Sequence, residues 1–259
     1  MIQTATGPLR KGRLFAFVLV GVLSAQPDPT LDAIRDYARN YTEHLPNYTA
    51  TQVIKRKSKF TESPQLPPVT QNEDIEEQIG YNDHRESHKV LKYNGKKIPD
   101  NAPVRSEGIF STGEFGGILE TLSREGIGSS FKRAKTEKLA GKTVDVYEFS
   151  VPAEPSGYVI KEPGRQTAIA FVGKVYADTA SHAVLRIQFH CVDFPFNLKY
   201  KSLEMDLAFA PAKVGGQEFI LPARYSLKTV SADGDSLIEA SYRNYQRFSV
   251  ESTIIVDEP

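Results

Sequence analysis

Residues 184–192 read VLRIQFHCV, and residues 203–209 read LEMDLAF. In the first stretch Leu185, Ile187 and Phe189 point to one side, and the polar residues between them point to the other. A period of two is typical of a strand that has one buried face and one wet face. Such strands belong to antiparallel sheets that are covered on one side. The two stretches therefore predict an antiparallel sheet with a single apolar face.

Turn residues divide much of the remaining chain into stretches with the same period of two. Short connections between successive strands favour antiparallel hairpins that are joined as a meander. The strongest hairpin signal is Asn94-Gly95, because this dipeptide suits a type I′ turn. We therefore expect roughly nine to eleven strands and no βαβ units. The predicted strands begin at residue 48 and include residues 74–81, 87–93, 132–139, 143–151, 166–178, 183–192, 199–209, 218–230 and 236–249.

Two segments have helical spacing instead. In residues 30–43, Ile34 and Ala38 lie on one side of a helix that Thr30 is expected to cap. A second, shorter helix is predicted at residues 113–124. Because a long and strongly twisted sheet tends to curl, the two helices would lie on its hollow side. The chain is therefore predicted to be mainly β (α+β), with a large curled antiparallel sheet, shaped as a half-barrel, and two covering helices.

The N-terminus has the features of a secretory signal peptide. Three basic residues precede an apolar run at residues 14–23, and small residues follow it. The run is shorter than the ~20 residues of a membrane-spanning helix, although a retained anchor is the alternative. We expect a signal peptide at residues 1–25 and a single β-rich domain at residues 26–259. Gln26 stands where a lipoprotein would carry its acylated cysteine, so we expect a soluble, unlipidated bacterial protein of the periplasm or the exterior, with no integral membrane segment after cleavage.

Charge and cysteine content exclude several classes of protein. The 259 residues contain 32 Lys+Arg and 32 Asp+Glu, so no nucleic-acid partner is expected. The single cysteine, Cys191, excludes an internal disulfide and a multi-thiolate zinc site. His84 and His88 lie in a predicted strand or turn, where four residues span ~13 Å, too far for a shared ion. We predict no metal, no cofactor and a monomer.

A search for catalytic motifs finds no strong candidate. The chain has no nucleophile elbow, no P-loop and no dinucleotide-binding fingerprint. Cys191 shares the apolar side of its strand, which favours a buried, inert thiol. A hydrolase with a non-standard site around Glu107, Ser111, Glu114 and Ser129 is an alternative. An enzyme is nevertheless less favoured than a binding protein.

The candidate site is an apolar trough between the curled sheet and its helices. A trough is predicted because the strands have more apolar surface on one side than two helices can cover. The acyl chain of a lipid or lipoprotein could cover the remaining surface. An ordinary closed core and an envelope module that binds protein or glycan are the alternatives. The predicted lining residues are Phe115, Ile118, Leu122, Leu203, Met205, Leu207, Phe219, Leu221 and Tyr225.

Several short motifs resemble a family of exported bacterial proteins that has no assigned activity. They are LPNY (45–48), GEFG (113–116), GKVYAD (173–178), VLRI (184–187) and NYQRF (244–248). More distantly, one opening helix followed by a meander with few helices resembles the LolA/LolB/RseB-type fold. That resemblance implies a curled antiparallel sheet whose covering helices hold lipoprotein acyl chains or related amphiphiles. It assigns no ligand-contacting residue in this chain.

Overall fold

A computed structural model describes residues 28–61, 66–83, 85–99, 116–124, 128–156, 158–162 and 164–248. The signal peptide predicted at residues 1–25 lies outside these ranges. The helices are α1 (Pro29–His44), α2 (Gly117–Ser123) and the single turn α3 (Ala153–Ser156). The strands are β1 (Tyr48–Phe60), β2 (Val69–Asn82), β3 (Arg85–Tyr93), β4 (Lys96–Lys97), β5 (Ser130–Leu139), β6 (Lys142–Val151), β7 (Val159–Glu162), β8 (Arg165–Ala168), β9 (Ala170–Asp178), β10 (Val184–Val192), β11 (Tyr200–Val214), β12 (Gln217–Ser231) and β13 (Gly234–Arg247).

Eleven of these strands form one antiparallel sheet in the order β4-β3-β2-β1-β13-β12-β11-β10-β9-β6-β5. The sheet is open, because β4 and β5 are its edges and do not pair with each other. The predicted fold class, a large antiparallel sheet with covering helices, is confirmed. One step departs from a simple meander: β1 pairs with β13, so the first hairpins of the chain join its last strand. No local sequence signal marks this long-range pairing.

The turn at Asn94-Gly95 has the geometry that the dipeptide predicts. Both residues have positive φ angles, 47° and 76°, and they connect β3 to β4. A type I′ turn needs two consecutive residues in this region, which Asn and Gly adopt most easily. The predicted hairpin is therefore confirmed.

Helix α1 begins at Pro29, one residue earlier than predicted, and Asp28 caps it instead of Thr30. The Asp28 carboxylate accepts hydrogen bonds from the backbone N–H groups of Thr30 and Leu31, at 3.1 and 3.2 Å. Ile34, Ala38 and Tyr41 are buried on the side of the helix that faces the sheet. Within the described ranges, no helix combines the length and the apolarity needed to cross a membrane.

The region predicted as one strand at residues 166–178 is divided in the structure. Strands β8 and β9 are separated at Ile169, which is buried, and β7 and β8 form a separate two-stranded hairpin. Together with α3, this hairpin forms an excursion between β6 and β9 that folds over the sheet. Its Tyr158 ring contacts the rings of Phe171 and Phe189, with centroids 5.5 and 5.4 Å apart. The excursion is a third covering element that the sequence pattern did not reveal.

Candidate functional site

The side of the eleven-stranded sheet that α1 covers is here called the inner face. The inner residues of neighbouring strands are direct cross-strand partners. Leu207 on β11 pairs with Ile187 on β10 and with Tyr225 on β12, and Tyr225 pairs in turn with Ala240 on β13. All four residues are buried. The apolar positions predicted from the period of two therefore form one layer that runs across several strands.

The predicted lining residues lie in this layer or next to it, with one exception: Phe115 is outside the described residues. Ile118 and Phe219 are half-buried. The side chains of the other six are between 0% and 6% exposed: Leu122, Leu203, Met205, Leu207, Leu221 and Tyr225. The inner face is thus packed shut around these six residues, and a ligand could reach them only if a covering element moved.

Strand β12 carries three of the predicted lining residues, and its pairing with β11 contains an irregularity. The register shifts between Ala208 and Phe209, so that Leu221 pairs with Ala210 whereas Tyr225 pairs with Leu207. Because directly opposite residues share a face, positions before and after the shift are not related by simple counting. An inference from the alternation of residues alone could not detect the extra residue in β12.

Two tyrosine hydrogen bonds connect α1 to the sheet. The Tyr147 hydroxyl donates to Asp28 Oδ2 at 2.8 Å, and the Tyr41 hydroxyl donates to the backbone oxygen of Ile220 at 2.9 Å. Burial raises the pKa of Tyr41 well above its usual value. Burial and the bond to Asp28 likewise raise the pKa of Tyr147. Both phenols therefore remain protonated donors, and we call this pair of bonds the tyrosine latch.

The floor beneath the β7–β8 excursion is aromatic. The ring of Phe171 lies 5.9 Å from that of Phe149 and 5.1 Å from that of Phe189, between centroids. Gly173 occupies the inner position between them, paired with both Phe149 and Phe189. A Cβ atom there would lie 2.8 Å from Phe149 Cζ and 2.7 Å from Phe189 Cβ. The absence of a side chain at Gly173 is therefore what allows these rings to approach.

The inner positions of β6 and β9–β12 carry mainly apolar residues and are called the apolar half. The inner positions of β13 and β1–β3 also carry charged residues and are called the mixed half. There, the buried Arg56 guanidinium donates to the Glu73 carboxylate, which also accepts from the Tyr93 hydroxyl. Burial acts to raise the pKa of Glu73, but the bonds from Arg56 and Tyr93 outweigh it and lower the pKa. Glu73 is therefore a buried carboxylate that stays ionised.

A second charged group lies at the edge of the mixed half. His88 Nδ1 lies 3.2 Å from Glu77 Oε2, and His88 Nε2 lies 3.8 Å from Glu86 Oε2. Glu77, followed by Glu86, raises the pKa of His88 to about 10, against the lowering effect of burial. His84, the neighbour considered with His88 in the sequence, is outside the described residues. His88 is thus an imidazolium held by two carboxylates.

Sequence reasoning missed the charged residues of the mixed half. Strand alternation indicates that Arg56 is buried, because Arg56 has the same parity as Gln52 and Ile54, and both of those residues are buried. Arg56 stands between Lys55 and Lys57, and a run of charged residues usually indicates a solvent-exposed position. Parity was the better guide, since only one of every two adjacent residues can face the core.

An open cavity of about 930 Å³ lies on the opposite, outer face of the sheet. Three of its polar side chains are linked by hydrogen bonds: Tyr176 donates to Gln188 at 2.6 Å, and Gln188 donates to Asp206 at 3.0 Å. The neighbouring Arg186 Nε also donates to Asp206, at 2.8 Å. A neighbouring cavity of about 450 Å³ shares Asp206 and Ser226 with it. Charged side chains therefore line this outer groove, and Glu148, Lys174 and Asp206 among them take part in ion pairs.

The residues of the alternative hydrolase site are mostly beyond the described part of the chain. Glu107, Ser111 and Glu114 lie outside it, and Ser129 is half-buried just before β5. Cys191 is buried on the inner face, and burial raises the pKa of its thiol to about 12. A thiol with this pKa is not a nucleophile at neutral pH. The expectation that Cys191 is buried is therefore confirmed, and its inertness stays a prediction.

No family model and no curated protein matches the chain. Solved structures similar to it include a LolA superfamily protein from Nitrosomonas europaea, at 12% identity and a TM-score of 0.36, covering 85% of this chain and 94% of that one. An outer membrane lipoprotein-sorting protein domain from Vibrio parahaemolyticus matches at 14% identity and a TM-score of 0.36, covering 86% and 94%. The lipoprotein LppX from Mycobacterium tuberculosis matches at 14% identity and a TM-score of 0.30, covering 87% and 99%. A LolA superfamily protein, to whose fold the sequence shows a resemblance, is thus among the similar solved structures.

Proposed function

We propose that this chain is an exported carrier or sensor that binds the acyl chain of a lipid or lipoprotein on the apolar half of its inner face. One observation carries the proposal. The apolar layer crosses several strands of a continuous sheet, but its cover consists of separate pieces: α1, α2 and the β7–β8 excursion. Such pieces can move without breaking the backbone hydrogen bonds of the sheet. In the closed form described above, these covering elements occupy the space that the acyl chain would fill.

Exchange of cover for ligand is energetically reasonable. Burying an acyl chain yields about 0.8 kcal/mol per CH₂ group, so a chain of common length yields roughly 10 kcal/mol before losses. Association costs about 4 kcal/mol or more, and displaced helices expose apolar surface of their own. The balance favours modest affinity and reversible binding, which suits a carrier or a sensor better than a storage protein.

The tyrosine latch gives the proposal its sharpest test. In protein recovered from the exported fraction, where the first residue is expected to be Gln26, we would measure uptake of a fluorescent fatty acid. Tyr41→Phe and Tyr147→Phe each remove one hydrogen bond of about 1 kcal/mol that holds the closed form. Each variant should therefore bind the probe several-fold more tightly than the parent chain.

Tyr176→Phe is the matched control, because it also removes a tyrosine hydrogen bond but on the outer face. It should leave uptake unchanged. The proposal fails if neither the parent chain nor a latch variant takes up the probe, or if Tyr176→Phe changes uptake as much as the latch variants do. A soluble oligosaccharide or peptide that binds in the outer groove, and loses its binding in Asp206→Ala, would favour the interaction-module alternative instead.

A further inference from the structure

Phe196 is the most exposed large apolar residue among the described residues, with 94% of its surface in contact with solvent. Its loop, between β10 and β11, is nevertheless held in place. Leu198 is buried, and its N–H donates to the oxygen of Pro195 at 2.9 Å. Phe194 packs against the core on the other side of Phe196, and Arg165 donates to the oxygen of Asn197 at 3.0 Å. A fixed loop therefore presents the Phe196 ring to the surroundings.

Other exposed apolar residues lie at the same end of the sheet. The loop is hydrogen-bonded to the β12–β13 turn, where the N–H of Ala232 donates to the oxygen of Lys199 at 2.9 Å. That turn contacts the β1–β2 connection through a bond from the N–H of Thr61 to the oxygen of Asp233, at 3.3 Å. We call this end of the sheet the Phe196 end. Its exposed apolar residues are Leu66, Val69, Val159 and Phe196.

We propose that the Phe196 end is a membrane-contact surface, and that the Phe196 ring inserts into the interface of a lipid bilayer. The apolar side chains stand on four separate segments: the β1–β2 connection, the start of β2, β7 and the β10–β11 loop. A rigid protein partner would need a matching cavity for each of them. A fluid lipid interface adapts to each side chain separately, and it accommodates aromatic rings at the level of the head groups.

The charges at this end fit a weak and reversible contact. Lys161, Lys199 and Lys201 are exposed, and Lys199 also pairs with Asp233 at 3.1 Å. Asp193 is exposed next to Phe194, so the basic excess is small. These three lysines against Asp193 and Asp233 leave a net charge of about +1, and one positive charge near an anionic surface strengthens binding roughly fivefold, less than the tenfold expected from the ring. Insertion of the ring should therefore dominate, and added salt should weaken binding only slightly.

Vesicle flotation tests the proposal with the full chain and vesicles of phosphatidylcholine, with and without phosphatidylglycerol. The parent chain should float with both kinds of vesicle. Phe196→Ser should bind about tenfold more weakly, because a buried phenyl group is worth about 1.5 kcal/mol or more and 1.4 kcal/mol corresponds to a factor of ten. Phe248→Ser is the control, since Phe248 is also exposed but lies at the opposite end, beside Asn47. It should bind as the parent does.

The chain contains no tryptophan, so Phe196→Trp introduces a single fluorescent reporter. Its emission should be that of an indole in water without vesicles and should shift to shorter wavelength when vesicles are added. No shift, no flotation of the parent chain, or equal flotation of the parent and Phe196→Ser would overturn the proposal, as would binding that salt abolishes. Fatty-acid uptake should be unchanged in Phe196→Ser, so this surface and the acyl-chain proposal fail independently.

Discussion

The two halves of the inner face follow the same alternation but are stabilised differently. In the apolar half, Leu207 and its cross-strand partners Ile187 and Tyr225 contribute to stability by leaving water. In the mixed half, Arg56 and Glu73 are as deeply buried, at 5% and 7% exposure, and each depends on the other. Dispersion contacts have little directionality, whereas a buried ion pair needs one particular partner in one particular geometry.

This difference indicates in which half of the inner face a ligand can replace the covering residues. A hydrocarbon ligand can replace apolar contacts made by a covering helix, because one apolar surface substitutes for another. No hydrocarbon can replace the Glu73 carboxylate beside Arg56. We therefore regard the mixed half as the fixed frame of the fold and the apolar half as its exchangeable side.

Removal of the cation should damage the mixed half most. Arg56→Ala leaves the buried Glu73 carboxylate without its guanidinium partner, and breaking a buried pair in this way costs about 3–5 kcal/mol. The free energy of unfolding, measured by urea denaturation, should fall by that amount. Fatty-acid affinity of the folded variant should stay the same, since the apolar half is untouched.

Two further variants check this result. Arg186→Ala breaks the Arg186–Asp206 pair of the outer face, whose side chains are 28% and 32% exposed, and should cost about 1 kcal/mol or less. The double variant Arg56→Met/Glu73→Leu removes both buried charges and should recover most of the lost stability. A loss in Arg56→Ala no larger than in Arg186→Ala would show that the mixed half is not a frame.

Gly173→Ala tests the apolar half with the smallest possible change. The added methyl group would contact the backbone oxygen of Gln188 and the side chains of Phe149 and Phe189 more closely than atoms allow. Overpacking of this kind costs about 1–3 kcal/mol. The midpoint of urea unfolding should therefore decrease. Gly117→Ala is the control, because open space surrounds that position and alanine favours a helix by about 1 kcal/mol. A stability loss in Gly117→Ala equal to that in Gly173→Ala would contradict the interpretation.

The part of the fold that depends on local pattern was predictable from sequence. The period of two places Ile187, Phe189 and Cys191 on one side of β10, and Asn94-Gly95 forms the turn between β3 and β4. These features depend on neighbouring residues alone. The pairing of β1 with β13 was not predictable in this way, because the partners Ile54 and Ala240 are far apart in sequence and no short motif links them.

The candidate site was predictable only in its apolar residues. The burial of Leu203 and Leu207 follows from strand parity, but the degree of closure depends on the β7–β8 excursion. The sequence pattern assigned the β8 residues to one strand with β9 and assigned the β7 residues to no strand. Arg56 was hidden because charge suggests a surface position, and its partner Glu73 lies on another strand. Strand parity indicates the burial of Arg56, but its pairing with Glu73 can be recognised only when the register of β1 against β2 is known. Phe196 gave no signal either, since a single exposed phenylalanine has no periodicity.

The smallest effect is expected from the titration of His88 at the edge of the mixed half. Its pKa is raised from 6.5 to about 10 in the folded chain, chiefly by Glu77 and then by Glu86, so folding favours the protonated ring. The resulting stabilisation is fully present below pH 6.5 and is lost as the pH rises towards 10. Because solvent reaches this ring, the loss should be on the order of 1 kcal/mol. In urea unfolding, His88→Gln should lack this decline in stability between pH 6.5 and 10. The control His190→Gln, at an exposed position of the outer face, should retain it. Identical pH profiles for His88→Gln and the parent chain would show that His88 does not contribute to the stability of the mixed half.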